Sequence, residues 1–386
     1  MASERRWTIR DYAEGDERAI VGLFEQVFGR TMGASESAEH WRWEFARNPS
    51  GPQTIELVWD GDRLVGQYAV SPRRVWFCGA EQRAALSLDT MTHPDYGRQG
   101  IFSASAEACY ARMVERGFAF VYGFPNANSI HGFEKYLRWK TVMPTPVHVK
   151  PLDLGEYVAG KLGRPELSSV LSKASRLLLR TPTFVDGLVE RARSRGARPD
   201  EPLVVREFAD FEELAGVDEL WLRCRDQHRL WVIRDRDYLR WRYDQRPESE
   251  YLRVAIHHVD RSRPNGHGDE LVGWAVLTIA EREQGRTCFI MDLLVDAEID
   301  RAMPSLLRAI EALARARGCA LISAMVGAGS RWRMDFLRHA YLPLPERLFP
   351  QELYFGARVL AEGELDRALL LHPESWQLGW GDIDVI

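Results

Sequence analysis

Three short stretches of this chain occur twice, in the same order and at similar spacing. Trp43–Pro49 (WEFARNP) returns at Trp241–Pro247 (WRYDQRP), Leu64–Val70 (LVGQYAV) at Leu271–Val276 (LVGWAV), and Leu88–Asp95 (LDTMTHPD) at Met291–Glu298 (MDLLVDAE). Chance rarely keeps order three times, so the simplest reading is a tandem repeat of one α/β unit. In each half the third echo reads as a strand, followed by a helix-spaced run, a second apolar strand and a further helix. The second copy spells this out as RAMPSLLRAIEALARARG, CALISAMV and SRWRMDFLRHAY. At 386 residues and 45% apolar, the chain has room for two such domains and their cores. The expected fold is α/β (α+β): two tandem domains, each a mixed, largely antiparallel sheet flanked by helices.

The pattern places a first domain at 1–150, a helical connector at 151–200, a second domain at 201–360 and a tail at 361–386. In the connector Leu167, Val170, Leu171, Ala174, Leu177 and Leu178 recur at helical spacing, which predicts a stripe packed against the sheets. Trp376 and Trp380 predict that the tail docks on the body.

The copies differ where chemistry would sit. Leu86–Phe102 (LSLDTMTHPDYGRQGIF), followed by SASAEACYARMVERG, reads as a buried strand, a tight glycine turn and a helix whose first turn lacks bulky capping side chains. A helix start leaves about four N–H groups unpaired and carries roughly half a positive charge. A turn of Gly97, Arg98, Gln99 and Gly100 can therefore wrap a pyrophosphate with main-chain donors, the glycines allowing close approach and Arg98 adding charge. Ordinary strand-to-helix connections also favour glycine, so the turn alone does not decide. The second copy has Asp296, Ala297, Glu298, Ile299 and Asp300 in that place. Those carboxylates suit the helix dipole but repel a pyrophosphate. Only the first copy is expected to hold a nucleotide-bearing cofactor.

HPDYGRQGIF resembles motif A of the GCN5-related N-acetyltransferase (GNAT) superfamily: Arg or Gln, two residues, Gly, one residue, then Gly or Ala, usually after a proline. Pro94 and Gly100 fit; Gly97 stands for the leading Arg or Gln, and Phe102 for the second small residue, which implies an altered pantetheine or acyl channel. FAFVYGFPNANSIHGFEKYLRWKTV resembles motif B, with a strand from Phe118 to Tyr122 and then a helix. The resemblance spans about Trp7 to Met143. It implies that two strands splay apart and take the pantetheine arm between them. The implied acetyl-CoA-holding residues are Met91 and Thr92 on the strand, Arg98, Gln99, Gly100, Ile101, Phe102 and Ser103 at the turn, and Asn126 or Asn128 after the second strand.

Acyl transfer from a thioester to an amine needs a polarised carbonyl, a neutral amine and a proton donor for the leaving thiolate. The resemblance assigns carbonyl polarisation to backbone amides around Met91 and Thr92. Asp89, His93, His131 and Glu134 are the titratable groups near the turn in sequence. The superfamily often uses a Tyr on the motif B helix as acid; that place falls on Glu134, with Tyr136 about 200° further round the helix. Tyr122 is another phenol in reach. Asp89 is either catalytic or part of a structural network, since an unpaired carboxylate on an apolar strand is costly, and its counterpart Asp292 survives in the second copy. In tandem relatives the chain terminus can enter the active site, which adds the Ile386 carboxylate to the proton acceptors.

A formal charge of −5 gives no global pull toward nucleic acid or anionic membrane. No run approaches the roughly 20 apolar residues of a membrane span, and no signal-peptide core opens the chain, so a cytoplasmic protein is expected. The five cysteines are scattered without metal-ligand spacing and read as buried reduced thiols; Cys109 is a core residue, and no metal is expected. HWRWEF and YLRWRY alternate aromatics with arginines as nucleic-acid surfaces do, but their recurrence points to a packing element. The leading expectation is an acyl-CoA-dependent N-acyltransferase, most simply acetyl, with a small-molecule or protein amine as acceptor in the crevice between copies. The rivals are a FemAB-like aminoacyl transferase and an acyl-CoA-binding regulatory protein without turnover.

Overall fold

The computed structural model describes residues 6–29, 38–155, 158, 168–174, 203–247, 249–259, 269–282, 285–345, 352–361 and 365–383. Two sheets share one design. The first runs β1 (Thr8–Asp11), β2 (Thr54–Asp60), β3 (Arg63–Phe77), β4 (Ala80–Thr92), β5 (Phe120–Gly123), β15 (Tyr354–Val359) and β6 (Lys140–Pro144). The second runs β8 (Leu203–Glu207), β10 (Leu252–His258), β11 (Glu270–Ala280), β12 (Thr287–Val295), β13 (Leu321–Met325), β7 (Val147–Pro151) and β14 (Leu342–Pro343). All neighbours are antiparallel except β4 with β5 and β12 with β13. Parallel neighbours need a crossover. It is supplied in the first sheet by α3 (Ile101–Glu115) and in the second by the helix Ala302–Ala316.

Each half lends the other one strand. β7 follows β6 in the chain yet pairs with β13 and β14, while β15 enters the first sheet between β5 and β6. The boundaries expected at 150 and 360 therefore fall at the lent strands, and neither 1–150 nor 201–360 contains a whole sheet. Lys150 on β7 reaches Glu311 on the crossover helix of the second sheet at 2.5 Å, with both side chains buried. Either charge left alone there would be expensive, so the pair fixes how the lent strand sits. A third link is β9 (Leu230–Val232), which pairs with the end of β3.

The halves meet at the repeated tryptophans. Ala38–Trp41 (α2) continues into a wide helical turn at Arg42–Ala46, and Arg236–Leu239 continues into the same kind of turn at Arg240–Asp244. Trp43 and Trp241 stack across the junction, ring centroids 5.0 Å apart. Each indole N–H donates to the other's carbonyl: Trp43 Nε1 to Trp241 O at 2.6 Å and Trp241 Nε1 to Trp43 O at 2.8 Å. Arg73, which pairs with buried Glu44 at 2.9 Å, lies over the Trp241 ring. The arginine–aromatic alternation is thus a packing element.

Of the connector stripe, Val170, Leu171 and Ala174 lie on a described helical stretch, 168–174, where Val170 is 62% exposed; the packed face expected there is not formed at that residue. Leu167, Leu177 and Leu178 lie outside the described residues. Cys109, Cys224, Cys288 and Cys319 are buried as expected, but Cys78 is exposed.

Candidate functional site

At the end of β4 the chain turns through Pro94–Tyr96, where His93 Nδ1 accepts from Asp95 N–H at 3.2 Å. Arg98 and Gly100 then both take the left-handed conformation, φ 62° and 78°, and Gly100 caps α3. A left-handed residue ahead of a helix swings the amides that follow outward. The first backbone bond of α3 is Ala104 N–H to Gly100 O at 3.0 Å, and among the described residues the six amides from Arg98 to Ser103 have no hydrogen-bond partner. Arg98, Gln99 and Gly100 are exposed and Phe102 and Ser103 partly so, which sets this run of donors at the surface, at the positive end of a helix dipole, where anions bind. The side chains around them do other work. Ile101 is buried against Gly66, Ser103 Oγ donates back to Gly100 O at 3.1 Å, and Phe102 meets Phe133 of α4 (Ile130–Leu137) edge-on at 5.4 Å. Arg98 and Gln99 are exposed at the rim.

A slot leads away from this cradle. β4 and β5 pair from Ala84↔Phe120 to Ser87↔Gly123 and then part. Ala84, Ala85 and Leu86 are buried, whereas Ser87, Asp89, Thr90 and Thr92 are partly exposed although they lie on a central strand. β4 bulges against β3 between the pairs Ala69↔Leu88 and Gln67↔Met91, and Asp89 in the bulge has φ 49°. His93 N–H bonds to Val65 O, so Gly66↔Thr92 is a non-hydrogen-bonded pair and the N–H and C=O of Thr92 turn toward the slot. Met91 pairs with β3 and is buried. The cradle and slot fall inside residues 8–136, which match the family model of an acetyltransferase (GNAT) domain. The N-terminal part of this chain is a GNAT domain.

The whole fold is similar to those of solved acyltransferases. A probable N-acyltransferase from Enterococcus faecalis is 12% identical with a TM-score of 0.57, covering 92% of this chain and 73% of that one. A GCN5-related N-acetyltransferase from Anabaena variabilis gives the same figures. N-myristoyltransferase from Saccharomyces cerevisiae with bound myristoyl-CoA is 11% identical, TM-score 0.52, covering 92% of this chain and 83% of that one. No curated protein matches by sequence.

The GNAT domain turns two of the residues expected to act together, Glu134 and Tyr136, out to solvent. Asp89 lies in the bulge at the slot, with its carbonyl held by Gln67 Nε2 at 2.9 Å. His131 is exposed on the first turn of α4. Glu134 faces outward and accepts from Thr141 Oγ1 at 2.7 Å, and Tyr136 is 54% exposed with Lys135 over its ring, so neither is gathered with Asp89. Asn126 spends its side-chain oxygen on the turn into α4, accepting from the Asn128 and Ser129 amides, and Asn128 is exposed. Tyr122 is fully buried on the opposite face of the sheet from α3 and α4, against Trp376 and Phe355. Burial pushes the Cys109 thiol well above its ordinary value, as befits a core cysteine.

The second sheet parts in the same way, β12 from β13 after Phe289↔Ser323, but its slot is filled. All nine residues of β12 are buried. The segment Trp376–Ile383 lies along it: Trp380 Nε1 donates to Ser323 Oγ at 3.2 Å, and Asp382 pairs with Arg234 at 2.8 Å. A Cβ on Gly381 would stand 2.0 Å from the Tyr243 hydroxyl, so only glycine permits this approach. A cavity of about 20 Å³ remains, room for about one water. The turn beyond β12 has bonded several of its amides, Ala302 N–H to Ile299 O at 3.2 Å among them. Asp296 N–H bonds to Val272 O, Glu298 N–H to Asp296 Oδ1, and Ile299 N–H to Asp296 O, at 2.9 to 3.2 Å. Ile386 lies outside the described residues. Among those described, no group of three or more His, Cys, Asp or Glu could hold a metal ion, and no helix is long and apolar enough to cross a membrane.

Proposed function

We propose that the protein is an acyl-CoA-dependent N-acyltransferase, with acetyl as the donor group, working through its N-terminal GNAT domain. The reading rests on the six unpartnered amides of Arg98–Ser103 opening onto the slot between β4 and β5. Those amides, with Arg98 at the rim, hold the diphosphate; the backbone of Thr92 holds the pantetheine arm. Bound acyl-CoA supplies an activated thioester. Asp89, in the bulge, takes the proton that the attacking amine must lose, and His131, exposed on the first turn of α4, returns one to the leaving thiolate. The acceptor is an amine of a small molecule or protein, approaching from the junction of the halves. The second sheet is a degenerate copy of the first: its slot is taken by the tail and its turn has bonded the amides of Asp296, Glu298, Ile299 and Ala302, so it shapes the acceptor side rather than binding a second coenzyme.

The experiment combines acetyl-CoA with a panel of amines, follows thiol release, and measures acetyl-CoA binding by calorimetry. Binding with amine-dependent thiol release is expected. Binding without turnover across the panel favours a regulatory acyl-CoA receptor, for which the outward-facing Glu134 at the usual Tyr place speaks. Absence of binding removes both readings and returns the FemAB-like alternative.

A further inference from the structure

Aromatic side chains close a circuit under the slot, on the face of the first sheet that carries α3 and α4. The Phe102 and Phe133 ring centroids are 5.4 Å apart and those of Phe133 and Trp139 4.9 Å; Tyr110 and Tyr68, 5.4 Å apart, lead back to Phe102 at 6.4 Å. These are the separations of packed aromatic pairs. Hydrogen bonds tie the circuit together and to the strand above it. Trp139 Nε1 donates to the Tyr110 hydroxyl at 2.8 Å, the Tyr110 and Tyr68 hydroxyls are 2.5 Å apart, and Ser87 Oγ donates to the Tyr68 hydroxyl at 3.0 Å. Tyr68, Tyr110, Phe133 and Trp139 are buried and Phe102 is partly exposed. Phe102 stands where the GNAT motif has Gly or Ala, so the first turn of α3 supplies the ring that completes this wall.

The slot's inner end is closed on both faces. Ser87↔Gly123 is the last pair before β4 and β5 part. A Cβ on Gly123 would stand 3.1 Å from Ser87 O and 3.4 Å from Trp139 Cη2, so the indole occupies the room a side chain would need. On the opposite face Tyr122, Phe355 and Trp376, each at most 1% exposed, pack together with centroids 4.6 to 6.0 Å apart. Interiors packed like this accept no added methylene without strain. An arm entering from the cradle brings its thioester toward this end, and the acyl group must fit between the two aromatic layers. We propose that the wall restricts the donor to short acyl groups, acetyl or propionyl, and that Phe102 is the specificity-determining residue on the helix side. A longer chain is left only the course toward the mouth of the slot, where the acceptor amine arrives.

This inference rests on the coenzyme binding proposed above and names the donors that site takes. Calorimetry compares acetyl-, propionyl- and hexanoyl-CoA on the unmodified protein and on Phe102→Ala, with no acceptor needed. In an apolar channel each added methylene would strengthen binding about fourfold. Here acetyl-CoA and propionyl-CoA should bind alike and hexanoyl-CoA about tenfold or more weaker, a factor of the size set by an excluded methylene. Phe102→Ala, a small residue at a partly exposed position, should narrow the gap between hexanoyl-CoA and acetyl-CoA by about threefold or more, and taking the ratio removes any common effect on the pantetheine arm. Hexanoyl-CoA binding the unmodified protein as tightly as acetyl-CoA overturns this inference alone, and that series is read whether or not the variant folds. A folded variant with an unchanged ratio overturns the assignment of Phe102. Failure of the unmodified protein to bind any of the acyl-CoAs overturns the proposed function, and this inference with it.

Discussion

Gly100→Val separates the cradle from the fold. Gly100 sits at φ 78°, which a β-branched residue tolerates poorly, at a cost of about 1–2 kcal/mol. The space around it is open, since a Cβ there would meet nothing nearer than Ser103 Oγ at 4.0 Å. The substitution should therefore cost modest stability and leave the sheet intact. Its methyl groups would stand over the first amides of α3, where the diphosphate is to bind. Hydrogen bonds from such donors to a charged ligand are worth about 1.5–3 kcal/mol each, so blocking two should weaken acetyl-CoA by about 3–6 kcal/mol, or about 10²- to 10⁴-fold. Calorimetry reads the affinity, and thermal unfolding checks the fold. A folded variant whose affinity stays within about threefold of the unmodified protein would refute the claim that these amides bind the diphosphate.

Three further outcomes follow from the same geometry. Trp43→Ala or Trp241→Ala should each cost about 3–5 kcal/mol, and together clearly less than the sum, because the reciprocal N–H to carbonyl bonds are shared; additive losses in chemical denaturation would contradict this. Asp292 is pushed up to about 6 by burial, with Asp382 adding and Arg234 opposing. A raised carboxyl stabilises the fold below its unfolded pKa and loses that contribution as pH rises through about 6. Relative to Asp292→Asn, the unmodified protein should then gain about 1 kcal/mol between pH 7.5 and pH 5, and an unchanged difference would count against it. A chain ending at Ser375 uncovers β12 yet should still bind one acetyl-CoA, because the amides of Asp296, Glu298, Ile299 and Ala302 stay bonded within the turn and carboxylates surround it; a stoichiometry of two would show that the tail, and not the turn, excludes the second coenzyme.

The parts of this architecture that were legible in the sequence were those written in local patterns. The paired WEFARNP and WRYDQRP segments form equivalent turns, and their tryptophans meet because each recurs at the same place in its unit. The glycine turn was readable because left-handed backbone leaves a composition signature, and its loss in the second copy was equally plain. The lent strands were not readable. β7 and β15 are apolar segments like any other, and which sheet takes them depends on contacts such as Lys150 with Glu311 that lie 161 residues apart. The tail's place in the second slot had one trace, the glycines of GWGD, whose need shows only once Tyr243 and β12 are beside them. The motif B helix misled for a related reason. The resemblance to motif B pointed to Glu134 and Tyr136, but the helix presents both to solvent, while Ser87, Tyr68 and Tyr110 lie on β4, β3 and α3 and Trp139 follows α4, so that their contacts leave no spacing in the sequence.

The central claim is that one helix start of two equivalent ones holds a diphosphate. A crystal structure with coenzyme A bound tests it most directly. The account predicts the diphosphate on the amides of Arg98–Ser103 with the pantetheine arm between β4 and β5. Density beside Asp300 and Arg301, with none beside Gly100, would contradict it.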